Sequence, residues 1–224
     1  MTPEPLLVVG AGGFARETLE LIDAINRVEP RWRVVGILDD DPGRHGARVH
    51  GIEIIGPAAL ARELPDARVC ACVASPGRPA GRMALVRRLG LDPERYATLV
   101  HPAAVVARSA SLGPGSVLHA TTVLTADVTV GAHVAVMPAV VLTHDDVLAD
   151  GVTLGAGARI AGGVRIGESA YIGSGALVRE GIAVGAGAVV GMGAVVTRDV
   201  PAGETWAGVP ARRLAPAREL SVAR

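Results

Sequence analysis

The chain has 224 residues, half of them apolar but only 2% aromatic, with 29 Gly and 15 Pro; that suits one large domain or two small ones, with a core of Val, Ala, Leu and Ile in many thin layers. Lys+Arg and Asp+Glu balance at 22 each and every cation is an arginine, which excludes a basic field for nucleic acid, Schiff-base lysine chemistry and a P-loop lysine. Cys70 and Cys72 make neither a disulfide scaffold nor a Cys-based zinc site, no apolar run is long enough for a bilayer, and Met1–Leu6 lacks the regions of a signal peptide, so a soluble cytoplasmic protein is expected.

In the first hundred residues strand and helix signals alternate. Leu6–Val9 is a short apolar run ending in Gly10-Ala11-Gly12-Gly13, and a helical pattern follows with Leu19, Ile22 and Ile25 on one face and Arg16, Glu17 and Glu20 on the other. Val34–Leu38 is a second buried strand, closed by the turn cluster Asp39-Asp40-Asp41-Pro42-Gly43. Ile52–Ile55, Pro57–Glu63, Arg68–Val73 and Gly81–Leu89 continue the alternation, which predicts a small, Rossmann-like parallel α/β domain over residues 1–103. The glycine loop follows a strand and opens a helix, so its amides can cradle a phosphate. It also reads as the Gly-x-Gly-x-x-Ala of a dehydrogenase with Asp39 on a ribose, although about a hundred residues is short for a complete dinucleotide fold. Cys70 and Cys72 alternate on a buried strand and are expected to pack in the core.

From Val106 the period becomes six. Aliphatic residues stand at Val106, Leu112, Leu118, Leu124 and every sixth position onward to Val196, without a slip, and Gly often follows, as in Leu154-Gly155, Ile166-Gly167 and Val190-Gly191. Four places after each aliphatic comes a small or β-branched residue, such as Thr122, Val128, Val140 or Ala158. Neither a heptad helix nor a simple strand has that period. The pattern predicts a solenoid over residues 104–224: one hexad per flat face, three faces per coil, about five coils, with the aliphatic inside and Gly relieving the corners.

His144 breaks the pattern. Within Leu142-Thr143-His144-Asp145-Asp146-Val147 it falls off the aliphatic slot, hence outside near a corner; Asp145 follows it, and Asp146 takes a slot that elsewhere holds Thr, Val or Ala. A carboxylate in such a column costs stability unless paired or solvated, and such departures gather at functional sites. Imidazole can accept a proton from an attacking amine or hydroxyl near neutral pH, and a neighbouring carboxylate can fix its tautomer. Other histidines are weaker candidates. His101 precedes Pro102 at the junction of the halves and reads as a corner residue. His119 and His133 lie in outward slots and raise the alternative of an intersubunit zinc site, but their spacing with His144 is too irregular for three ligands.

Several segments together resemble one family. The hexads, with the ending Val196-Thr197-Arg198-Asp199-Val200-Pro201-Ala202-Gly203 and Ala207-Gly208-Val209-Pro210-Ala211-Arg212, are similar to the left-handed β-helix of the bacterial hexapeptide acyltransferases. Gly10-Ala11-Gly12-Gly13-Phe14-Ala15-Arg16-Glu17, Ile37-Leu38-Asp39-Asp40 and His101-Pro102 resemble the sialic acid O-acetyltransferase-like family, which includes N-acetyltransferases of nucleotide-linked 4-amino-sugars. The resemblance covers nearly the whole chain. It implies an acetyl-CoA-dependent sugar N-acetyltransferase without a metal, with His144 as base, Asp145 as its orienting partner and direct transfer in a ternary complex. O-acetylation of sialic acid is the alternative, and a non-catalytic sugar-nucleotide scaffold the second.

The resemblance further implies a pyrophosphate at Gly12 and Gly13, with Asp39 and Asp40 near the base. Phe14 stands where many members have His. Thr153 stands near the place of a second His that helps seat the acetyl donor. Gly162, Gly173, Ser174, Gly191 and Met192 match positions lining the acetyl-CoA groove, and Arg212 and Arg213 could meet CoA phosphates. The implied assembly is a homotrimer with active sites at subunit interfaces, binding a nucleotide-sugar but neither nucleic acid nor membrane.

Overall fold

A computed structural model describes residues 2–214; the end of the expected C-terminal tail lies outside the described residues. The first half is a five-stranded sheet built from β1 (Glu4–Val9), β2 (Trp32–Leu38), β3 (Arg48–Val49), β4 (Ile52–Gly56) and β5 (Arg68–Ala71), in the order β3-β4-β2-β1-β5. All pairings are parallel except the edge pair β3–β4, a tight antiparallel hairpin through Gly51 that the expectation of a parallel sheet did not include. Helix α1 (Gly13–Val28) buries Leu19 and Ile22 with Phe14 and Ala15, and α2 (Gly81–Leu89) buries Arg82, Met83, Leu85 and Leu89. Between β4 and β5, Pro57–Glu63 makes only a 3-10 turn, Ala58–Arg62, long enough to bury Ala58 and Ala61 but too short for a helical layer.

The second half is a three-sided coil of two-residue strands. Its first face carries Val105–Val106, Val123–Leu124, Val141–Leu142, Arg159–Ile160, Leu177–Val178 and Val195–Val196, and its second face runs from Ser111–Leu112 to Ala183–Val184. The third begins at Leu99–Val100 and ends in the hairpin of Thr205–Ala207 with Arg212–Arg213. From Leu99–Val100 to Leu177–Val178 each strand pairs in parallel with the strand eighteen residues on, as Val123 with Val141 and Val141 with Arg159, and near the end Val189 pairs with Thr205, sixteen on. The second strand residue points inward and is buried in one continuous aliphatic core from Leu118 to Val196, the steady gain that stacked layers give.

The corners separate two uses of glycine. From Gly115 to Gly193 every sixth residue has positive φ, including the non-glycines Thr121, Asp127, His133, Ala139, Asp145 and Ser169. The glycine directly after the core aliphatic, where the sequence places the strain relief, has ordinary φ and is instead needed for close approach: a Cβ on Gly173 would lie 2.5 Å from the Met192 nitrogen.

The two halves are pinned by Arg82. Its Nε donates to the His133 carbonyl (2.7 Å), its Nη1 to the Val73 carbonyl (2.9 Å), and its Nη2 to the Gly151 and Val152 carbonyls and the Thr153 hydroxyl (each 2.9 Å). Burial pulls its pKa down to about 10, so it remains charged at neutral pH. Leu99, Val117 and Ala135 on the third face join the core beneath β1, β2 and α1.

Candidate active site

His144 lies on the corner between the first and second faces. Positive φ at Asp145 (64°) turns the chain there, and the Asp145 carboxylate meets His144 Nδ1 at 2.8 Å. Both side chains are about two-thirds exposed. With Nδ1–H donated to Asp145, the Nε2 lone pair is left for an incoming proton. The ring rests over Gly162 of the next coil: a Cβ there would lie 2.4 Å from His144 Cε1 and Nε2. Gly163 N donates to the His144 carbonyl at 2.8 Å. Asp146 is not at the surface; it is fully buried beneath this corner.

The residues expected along the donor groove separate from His144. Gly162 shares its corner, whereas Gly173, Ser174, Gly191 and Met192 occupy the corner between the third and first faces. There successive coils stack backbone on backbone, a Cβ on Gly155 lying 2.5 Å from the Ser174 nitrogen, and Met192 stands 82% exposed. Thr153 is on neither corner. It is buried on the third face with its hydroxyl bonded by Arg82, so it faces the α/β half.

In the first half a cavity of about 380 Å³ opens at the carboxyl ends of β1 and β2, lined among others by Gly10, Asp39, Asp40, Arg78 and Arg88, the usual ligand crevice of an open α/β sheet. Asp39 accepts from Ala11 N at 2.8 Å and pairs with Arg44 at 3.2 Å, which fixes the glycine loop. Asp40 accepts from Ala58 N at 3.0 Å and pairs with Arg88. The hydrogen bond from Arg88 holds the Asp40 carboxyl below its ordinary value, against the opposing pull of burial. Gly12 and Gly13 are exposed at the N-terminus of α1, with no other group within 4 Å of a Cβ on Gly12. Phe14 is 8% exposed, its ring centroid 6.0 Å from that of His119 and 5.9 Å from the Arg82 guanidinium, so it walls the seam between the halves. Arg44, Arg78, Arg82 and Arg88 were not singled out in the sequence. Only Arg82 carried a signal, as a cation beside Met83 on an otherwise apolar helix face.

The other candidates resolve on geometry. His119, His133 and His144 sit on three different corners, and among the described residues no group of three or more His, Cys, Asp or Glu could hold a metal ion. His119 and His133 are not outward: the α/β half covers them, and burial pulls both down to about 4. His133 packs edge-on against Tyr96 at 4.5 Å. His101 Nδ1 accepts from Ala103 N at 2.9 Å, a corner role. Cys70 and Cys72 are buried with their sulfurs 3.5 Å apart. Arg212 and Arg213 are exposed on the terminal hairpin, and Arg213 pairs with Glu204 at 3.2 Å.

Residues 5–89 match the family model of the PglD N-terminal domain. A UDP-N-acetylbacillosamine N-acetyltransferase of Bacillus subtilis (strain 168) is 36% identical over 118 residues, so the match spans half of this chain and half the length of that protein. Among solved structures, the acetyltransferase domain of PglB from Neisseria gonorrhoeae FA1090, in complex with acetyl coenzyme A, is 32% identical with a TM-score of 0.82, covering 95% of this chain and 100% of that one. PerB from Caulobacter crescentus, in complex with CoA and GDP-perosamine, is 30% identical with a TM-score of 0.83, covering 94% and 97%.

Proposed function

The chain belongs to the hexapeptide-repeat, left-handed β-helix family of sugar N-acetyltransferases, and from that premise we propose that it moves an acetyl group from acetyl-CoA to the amino group of a nucleotide-linked 4-amino-sugar, in bacterial glycan synthesis in the cytoplasm. The observation that carries this reading is the His144–Asp145 pair, 2.8 Å apart on an open corner, with Nε2 free above Gly162. The amine nitrogen attacks the thioester carbonyl, Nε2 takes the proton that nitrogen sheds, and the carbon–sulfur bond breaks to release CoA. Asp145 holds the ring and stabilises the imidazolium. No acyl-enzyme is required, since Cys70 and Cys72 are buried away from this corner.

Residues 1–103 would hold the nucleotide in the cavity between Asp39, Asp40, Arg78 and Arg88, with the pyrophosphate toward the α1 N-terminus at Gly12 and Gly13. The donor would run along the corner of Gly173, Ser174, Gly191 and Met192, where exposed backbone can meet its pantetheine arm. In one chain the first face separates that corner from His144. Its outward residues are mostly apolar, Val105, Val123, Val141, Leu177 and Val195, with Val105 61% and Leu177 44% exposed. A second copy packed on this face would bring its donor corner to His144, which supports a homotrimer with the sites at its interfaces.

The test is thiol release from acetyl-CoA against UDP-, GDP- and dTDP-linked 4-amino-sugars, beside free and CMP-linked sialic acids. Turnover on an amino-sugar nucleotide is expected, with a loss of at least ~100-fold in His144→Ala at unchanged melting temperature. Turnover on sialic acids alone would move the assignment to O-acetylation, and undiminished turnover in His144→Ala would remove the general base.

A further inference from the structure

The corner that presents His144 contains one titratable group the transfer chemistry does not use. Four places after each core aliphatic, the coil buries Val128, Val134, Val140, Val152, Ala158, Val164, Ala170 and Ala176, and in the same slot it buries the carboxylate of Asp146, with no exposed surface. Such a group is costlier there than a valine unless it holds something in place. It accepts two backbone bonds: Oδ2 from Thr143 N at 2.9 Å and Oδ1 from Val164 N of the next coil at 2.9 Å. Ser116 fills this slot elsewhere and likewise accepts from Val134 N, eighteen residues on, at 3.0 Å. Thr122, also in this slot, reaches back to its own loop at the His119 carbonyl (2.8 Å); among the described residues of this column, Asp146 alone accepts both from its own loop and from the next coil.

The two bonds flank His144. On one side Thr143 is held by Asp146 and donates its hydroxyl to the Ile160 carbonyl at 3.0 Å; on the other, Gly163 N donates to the His144 carbonyl at 2.8 Å. The loop is thereby tied to residues 160–164, the segment whose Gly162 underlies the ring. Burial pushes Asp146 up to about 7, opposed by the bonds from Val164 and Thr143; His144 and Asp145 of its own loop are the titratable side chains that act on it, and the next coil meets it with backbone.

We propose that Asp146 is a positioning residue for the His144–Asp145 pair, bracing the corner from inside the coil so that the imidazole keeps its place over Gly162 and its Nδ1 against Asp145. This rests on reading His144 as the base. The brace acts on ring geometry and leaves the donor corner untouched, so its loss should fall on kcat and spare KM.

The test compares full-length Asp146→Val, which matches the apolar column, with Asp146→Asn, which keeps the shape and one acceptor. In Asp146→Val, kcat is expected to fall roughly 10-fold or more with both KM values within about 2-fold and a melting temperature no lower than that of the parent, while Asp146→Asn recovers part of the loss. Adding Asp146→Val to His144→Ala should cost nothing further. Independently of turnover, the ¹⁵N signals of the His144 ring should report a single Nδ1–H tautomer in the parent and a mixture in Asp146→Val. A shifted ring signal beside undiminished activity in His144→Ala would keep the brace and discard the base. A folded Asp146→Val with unchanged kcat and unchanged ring signals overturns the proposal, and if that variant does not fold, the same readouts on Asp146→Asn decide it.

Discussion

Two glycines identified together in the sequence have different physical jobs. Gly162 is small because the His144 ring needs the space, its absent Cβ falling 2.4 Å from Cε1 and Nε2; Gly173 is small because the Met192 backbone does, at 2.5 Å. A ring can swing away and a backbone cannot. Gly162→Ala should therefore cut turnover at least ~10-fold, through a displaced base, with little change in stability. Gly173→Ala should cost about 1–3 kcal/mol of stability by overpacking, read from urea unfolding. Equal stability losses in the two variants would mean that the ring at Gly162 is as confined as the backbone at Gly173. At this scale the sequence was informative about His144 and Asp145 because polar residues interrupt an aliphatic period. It was silent on Arg78 and Arg88, since an arginine lining a cavity and an arginine in water look alike until the chain is folded.

A corner of the coil is legible in the sequence only in part. The six-residue aliphatic period is enough to place the strands, because only the inward residue must be large and apolar. The left-handed residue three places after each aliphatic is harder to see, because Thr121, Asp127, His133, Ala139, Asp145 and Ser169 occupy it beside the glycines. Those residues bear a steric cost of about 1–2 kcal/mol each. Ala139, exposed with φ 61°, is the cleanest case, and Gly157 (φ 70°), where a Cβ would meet nothing within 4 Å, is its mirror. Ala139→Gly should raise the unfolding free energy by about 1 kcal/mol and Gly157→Ala should lower it by a similar amount. Both are measurable in urea, and the same sign for both would show that corner φ does not set the stability of a coil. Pro57–Glu63 marks the opposite failure: its composition suits a helix, but the short link between β4 and β5 leaves room for one 3-10 turn.

Across the whole molecule, folding buries titratable groups that pull stability in opposite directions with pH. His119 and His133, sealed under the α/β half, drop from 6.5 to about 4, while Asp146, sealed inside the coil, rises from 3.8 to about 7. Between roughly pH 6 and 4.5 the unfolded chain binds two protons that the folded imidazoles refuse, whereas the folded chain keeps one on Asp146 that the unfolded carboxylate has released. The unfolded state is ahead by one proton from these three groups. Stability should therefore fall on acidification by about 1.4 kcal/mol per pH unit over that window. Asp146→Val removes the opposing proton and should steepen the slope to about 2.7 kcal/mol per unit, whereas His119→Phe removes one refused proton and should flatten it toward zero. Urea midpoints at several pH values separate these slopes. An unaltered slope in Asp146→Val would mean that the two backbone bonds from Thr143 and Val164 outweigh burial and keep the carboxylate ionised throughout, leaving the brace beneath His144 charged even in acid.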